Sequence, residues 1–139
     1  EEFKSLVQKL HENGIKIIND AYNASFESMQ ATLKQMAEYQ GNRKIAVLGD
    51  MFELGDFAEE LHRKVGKEVA QRNIDILICA GEASKFIIEE AEKNPKIKTY
   101  YFNNNEEIVE NLSQELRNGD VVLVKASNGM KFFEICQKL

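Results

Sequence analysis

Lys44-Ile45-Ala46-Val47-Leu48-Gly49-Asp50-Met51-Phe52-Glu53-Leu54-Gly55-Asp56 is the stretch whose reading decides the fold. Ile45–Leu48 are apolar without alternation, the pattern of a strand covered on both faces. The run then breaks at Gly49-Asp50 into a polar, glycine-containing loop. Similar short runs stand at Ile15–Asn19, Ile74–Ala80, Lys98–Phe102 and Val121–Val124. Between them the apolar residues fall at spacings of three and four. Met29, Leu33, Met36 and Ala37 form one such stripe, and Leu61, Val65 and Val69 a second. Phe86, Ile87 and Ala91 form a third, and Ile108, Leu112 and Leu116 a fourth. Strand and helix in alternation predict an α/β fold: a Rossmann-like, doubly wound, mostly parallel sheet of about six strands with helices on both faces. Asp56 with Glu59 reads as a capping box for the second helix, and Glu59 and Glu60 beside His62 read as a solvated helix face.

The N-terminal residues allow two readings. Phe3, Leu6, Val7 and Leu10 have helical spacing, and Gly14 suits the end of such a helix. Asn13-Gly14 ahead of a strand is equally a hairpin signal, making Ser5–His11 an antiparallel edge strand. Residues 1–139 fit one domain. The hydrophobic fraction of 43% suffices for one core, and a net charge of −5 argues against sequence-independent nucleic-acid binding, which needs clustered cations. No apolar run of about 18 residues predicts a membrane span. The start, Glu1-Glu2-Phe3, has no signal-peptide character, and Cys79 and Cys136 lie far apart, so free thiols and a cytoplasmic location are expected.

A parallel sheet binds ligands beyond the carboxyl ends of its strands. Three strand-end loops carry varied polar chemistry: Asp20–Ser25, Gly49–Asp56 and Lys125–Met130. Asp20, Asn23 and Ser25 also suit helix capping. Lys125 follows four apolar residues; it reads either as a cation for an anionic ligand group or as a solvated rim lysine. Ser127-Asn128-Gly129 reads as the opening of the last helix, whose free N–H groups favour a carboxylate or phosphate. The sequence has no G-x-x-x-x-G-K-[ST] P-loop and no G-x-G-x-x-G after the first strand. No metal set and no Ser–His–Asp set is spaced around His11 or His62, so no catalytic residue is assigned within this domain.

Three passages resemble the Mur ligases of peptidoglycan synthesis. They are Ile18-Asn19-Asp20-Ala21-Tyr22-Asn23-Ala24-Ser25, Ala46-Val47-Leu48-Gly49-Asp50-Met51-Phe52-Glu53-Leu54-Gly55 with Leu61-His62 and Val65-Gly66, and Gly119–Met130. They occur in the family's order and cover most of the chain. Ser25-Phe26 stands where the family commonly has Asn-Pro, Ala126 where it commonly has Gly, and Asn128 where Arg is frequent. The likeness favours the hairpin reading of the N-terminus and is nearest to the branch that adds D-alanyl-D-alanine to UDP-N-acetylmuramoyl-tripeptide.

The resemblance implies a C-terminal domain whose N-terminal and central partner domains lie elsewhere in the same enzyme. ATP and magnesium would then be bound mainly by the central domain. The implied reaction phosphorylates the peptide carboxylate, and the incoming amine attacks the acyl phosphate. Implied ATP contacts are Asp20, at the ribose, with Tyr22 and Asn23. Implied substrate contacts are Asn23, Ala24, Ser25, Asp50, Met51, Lys125, Ser127 and Asn128, the last group toward the dipeptide carboxylate. Two alternatives stand beside this reading. One is another Mur or folylpolyglutamate-type ligase domain; the other is a stand-alone flavodoxin-like binding domain.

Overall fold

A computed structural model describes residues 7–10, 14–39 and 42–139. Strand β1 (Val7–Leu10) is followed by β2 (Lys16–Asp20), α1 (Phe26–Ala37), β3 (Lys44–Leu48) and α2 (Ala58–Gln71). Then come β4 (Ile76–Ala80), α3 (Ser84–Ala91), β5 (Lys98–Phe102), α4 (Asn105–Glu115), β6 (Val121–Lys125) and α5 (Phe133–Gln137). The sheet order is β1-β2-β6-β3-β4-β5. The five strands from β2 to β5 in that order are parallel, and β1 joins the β2 edge antiparallel, with Val7 opposite Asn19 and Leu10 opposite Lys16. Gly14 precedes β2 at φ 75, where a side chain would be strained. Asn13 and the rest of the N-terminal segment lie outside the described residues.

The unbroken apolar runs are explained by the two layers. Ala46 and Leu48 of β3 face α1, α2 and α3, packing with Met29, Leu33, Val65, Val69 and Ile87. Ile45 and Val47 face the other way, toward Ile108 and Leu112 of α4 and Phe132 and Ile135. A strand with both faces covered has no position to give to a polar residue. β5, at the far edge, has no fully buried residue: Lys98 and Tyr101 are exposed and Thr99, Tyr100 and Phe102 half-buried. Among the described residues no helix is long and apolar enough to cross a membrane.

Helix starts differ from the sequence expectation in two places. Ser25 caps α1 by accepting from the Ser28 N–H at 3.1 Å, and the Ser28 hydroxyl accepts from the Ser25 N–H at 2.9 Å. The Asp56–Glu59 capping box does not form. A 3-10 turn at Gly55–Phe57 leads directly into α2, Phe57 takes the cap position without a side-chain bond, and its N–H is already used on Leu54 O. Nor does Ser127-Asn128-Gly129 open the last helix. Asn128–Met130 form a separate 3-10 turn, Lys131 turns left-handed at φ 57, and the helix proper starts at Phe133. That helix is only five residues long.

At the amino edge, Arg43 donates to both Asp120 oxygens, from Nε at 3.1 Å and from a terminal nitrogen at 2.7 Å, and to the Glu115 carbonyl. This bidentate pair fastens the starts of β3 and β6 together. It fixes the register from which both strands run to the opposite edge.

Candidate functional site

β6 lies between β2 and β3, yet its outgoing chain crosses to the α5 face while theirs cross to the α1 and α2 face. Neighbouring loops that part in this way open a crevice at the carboxyl ends of the strands. Lys125, the last residue of β6, is in register with Asp20 on one side and Leu48 on the other. Its ammonium lies 2.7 Å from Asp20 Oδ2 and donates to Asn23 O at 2.9 Å. The two side chains are only 2% and 3% exposed. Lys125 is therefore not a solvated rim lysine. Its cation is turned inward and spent on the β2 loop, because a buried ammonium needs a carboxylate and a carbonyl more than it needs the rim.

The β3 loop is zipped to the β6 loop through the backbone. Gly49 N donates to Lys125 O at 2.9 Å, Ser127 N to Asp50 O at 3.0 Å, and Phe52 N to Ser127 Oγ at 2.8 Å. Gly49 has a steric reason to be glycine: an added Cβ would lie 2.7 Å from the Phe132 ring and 2.8 Å from the Ala126 Cβ. The same vacancy makes room for an alanine at 126. Asp50 turns toward β4 and α3. Its Oδ1 accepts from Ser84 N at 2.9 Å and Ser84 Oγ at 2.8 Å, tucked against Gly81 at φ 110.

Three loops from distant parts of the chain thus meet on one edge. The family model for the Mur ligase, glutamate ligase domain, matches residues 6–128, a span that contains all of β2 to β6. The chain belongs to the Mur ligase family. The UDP-N-acetylmuramoyl-tripeptide--D-alanyl-D-alanine ligase of Bacillus subtilis (strain 168) is 37% identical over 130 residues, covering 92% of this chain and 28% of the relative. The ligase of that name from Buchnera aphidicola subsp. Baizongia pistaciae is 34% identical over 139 residues, covering 98% and 29%. Among solved structures, MurF ligase from Thermotoga maritima in complex with ADP superposes with a TM-score of 0.80 at 26% identity, over 96% of this chain and 29% of that one. A domain of a Haemophilus ducreyi ligase covers 96% of this chain and 95% of its own, with a TM-score of 0.68 at 21% identity, a likeness of fold. The chain spans a little over a quarter of the length of the curated relatives it matches.

Within this Mur ligase domain the expected site residues fall into two groups. Asp20, Lys125 and Ser127 are buried and bonded to one another's loops. Ala24 and Met51 are also buried, Met51 packing its side chain into the core among α1, α2 and α3. Ser25 is spent on its helix cap. Tyr22, Asn23 and Asn128 are exposed on the crevice loops, with Asn23 Oδ1 holding the Ala24 N–H at 2.9 Å. Asp50 lies between the groups, half-buried. The exposed apolar rings Phe52 and Phe57 stand on the β3 loop, 44% and 64% exposed.

His62 corrects the solvated-face reading of this part of α2. It is fully buried, its Nε2 accepts from Met51 N at 3.0 Å, and its Nδ1 bonds Ala58 O at 2.6 Å. Glu59 and Glu60 are exposed as expected. The signal for His62 was present in the sequence. His62, Val65, Gly66 and Val69 fall at i, i+3, i+4 and i+7, and all four are buried. Cys79 and Cys136 are both buried, and neither is in a disulfide. Burial, and then the Asp50 carboxylate, push the Cys79 thiol above the ordinary range, away from the thiolate form. Among the described residues no three His, Cys, Asp or Glu side chains are grouped to hold a metal ion.

Proposed function

We propose that this chain is the C-terminal domain of a cytoplasmic, ATP-dependent ligase that joins D-alanyl-D-alanine to UDP-N-acetylmuramoyl-tripeptide. The observation that carries the reading is the 37% identity to a ligase of that name across 92% of the chain. In this reading the remaining length of the protein supplies the P-loop, a motif absent from this sequence, and binds most of the ATP and magnesium. Among the described residues no three His, Cys, Asp or Glu side chains are grouped to hold a metal ion, so no step is assigned to magnesium within this domain.

In this reading the domain is one jaw of the active site. Tyr22 and Asn23 flank the nucleotide, and Asp20 lies behind them toward the ribose. Asn23 lines the cleft for the peptide on the chain that runs through Ala24 and Ser25, while Asn128 and the half-buried Asp50 border the dipeptide on the chain that carries the buried Met51 and Ser127. Lys125 contributes by holding Asp20 and the Asn23 carbonyl in place. An acyl phosphate is lost to water unless the site closes, so this jaw serves to orient the amine and exclude solvent.

The test is ATP-dependent ligation by the full-length protein, with D-alanyl-D-alanine set against single amino acids as the incoming amine. Preference for the dipeptide supports the reading, and preference for a single amino acid overturns it. Asn23 is exposed and, among the described residues, its side chain bonds the next residue, so Asn23→Ala should leave folding intact. We expect turnover to fall by about tenfold or more, the cost of about 1.4 kcal/mol of lost transition-state interaction. Unchanged turnover removes Asn23 from the site.

A further inference from the structure

We propose that His62 is a positioning residue: one tautomer of its ring clamps both ends of the connection from Met51 to Ala58. It thereby holds Phe52 and Glu53 as the wall of the crevice that receives the incoming amine. The clamp stands on the geometry alone. The identity of the amine rests on the function proposed above.

Met51 N–H can only donate and Ala58 O can only accept. His62 must therefore carry its proton on Nδ1 and leave Nε2 bare, and each ring nitrogen is used by a different end of the same loop. Between those ends the backbone is left-handed twice, at Glu53 (φ 63) and Gly55 (φ 55). For a non-glycine residue such as Glu53 that conformation costs about 1 kcal/mol or more, so it persists only where the surroundings hold it. What holds it is visible: Met51 is tied to His62, Phe52 to Ser127 Oγ, and Phe57 to Leu54 O. The Phe52 ring, fixed between the first two ties, lies so close to Gly129 that an added Cβ there would sit 2.6 Å from its Cε2. That contact closes the β3 side of the crevice against the β6 side. His62 touches none of the exposed crevice surface itself and acts through Met51 and Phe52.

Amide hydrogen exchange of this chain reads the clamp without any catalytic assumption. In the wild type, the Met51 amide is expected to exchange more slowly than the Glu53 amide; equal rates would overturn the proposal with no variant needed. His62→Asn keeps a donor near Ala58 O but leaves no acceptor for Met51. His62→Gln places an oxygen where Nε2 stood. We expect the Met51 amide to exchange about tenfold faster in the Asn variant, as for one lost hydrogen bond, and near the wild-type rate in the Gln variant. The Ala46–Leu48 amides should be unchanged in both. Equal exchange in all three proteins, or equal loss in both variants, overturns the clamp.

In the full-length protein, H62N should raise KM for the dipeptide by about tenfold while KM for ATP stays near wild type, and H62Q should restore it. KM values that rise together, or a fall in kcat alone, overturn the wall assignment. Failure of the wild-type protein to use the dipeptide counts against the ligase reading only, because the exchange measurement still reports on His62.

Discussion

Replacing Lys125 with Met would leave the Asp20 carboxylate buried without the ammonium that now lies 2.7 Å away, and the Asn23 carbonyl without its donor. Removing one partner of a buried ion pair costs about 3–5 kcal/mol, whereas replacing both by neutral groups is often close to neutral. We therefore expect Lys125→Met to lower the unfolding free energy by about 3 kcal/mol in urea titration, and Asp20→Asn on top of it to recover part of that loss. A single variant as stable as the wild type would show that the pair is not buried in solution. The sequence marked both residues as strand-end polar groups aimed at one crevice, and they do meet there. It could not reveal that they meet each other, because the pair spans 105 residues and a lysine side chain is long enough to turn in or out. Asp50 shows the same limit: its placement after β3 was legible, but its partner Ser84 depends on how α3 is seated.

At the scale of elements, α2 and α3 pack close enough that Gly66 faces the backbone of the neighbouring helix. An added Cβ would sit 2.5 Å from Ile87 O and 2.7 Å from the Glu90 Cβ. Alanine gains about 1 kcal/mol in helix propensity, but overpacking costs about 1–3 kcal/mol, and a carbonyl cannot swing aside as a side-chain tip can. With the carbonyl contact placing the cost in the upper half of that range, about 2–3 kcal/mol, Gly66→Ala should destabilise by about 1–2 kcal/mol net, seen as a lowered melting temperature; an unchanged or raised one would mean that α3 slides freely. The same interface carries Glu90, which pairs with Lys93 at 2.9 Å and Arg63 at 3.0 Å. Lys93, and with it Arg63, hold the Glu90 carboxyl below its ordinary 4.5. A depressed folded value means the contribution is complete above pH 4.5 and is lost as pH falls through that lower value. The melting temperature of the wild type should exceed that of Glu90→Gln at neutral pH, and the gap should close on acidification below 4.5. A gap that is constant with pH would remove the ion pairs as its cause. Periodicity exposed β3 and β5 to the residue, because apolar runs and their ends are local signals. The start of α2 and the last helix were misread because a 3-10 turn at Gly55–Phe57 and a left-handed Lys131 are backbone choices made under tertiary constraint.

The whole molecule presents an edge whose buried polar groups are used internally. Lys125 is spent on Asp20 and Asn23 O, Asp50 Oδ1 on Ser84, and Ser127 Oγ on Phe52 N. What remains for a ligand is a rim of exposed groups, Tyr22, Asn23, Phe52 and Asn128, on one side of a crevice. Small-molecule sites bury roughly 70–90% of the ligand, which a single rim does not provide. The strand-end rule made the location of this edge legible from the sequence, since it depends only on parallel topology. In the proposed reading the second wall lies elsewhere in a longer protein, as the relatives suggest: the chain covers a little over a quarter of their length. These points make calorimetry of the isolated chain decisive between the ligase jaw and a self-contained flavodoxin-like module. Neither ATP nor D-alanyl-D-alanine should give a saturable heat below about millimolar concentration, a binding free energy weaker than about −4 kcal/mol. The full-length protein should bind ATP well below that concentration, because its phosphates then meet a P-loop and the rim becomes the second wall. Tight, saturable binding of either compound by this chain alone would mean that the edge is a complete site, and the ligase-jaw reading would have to give way.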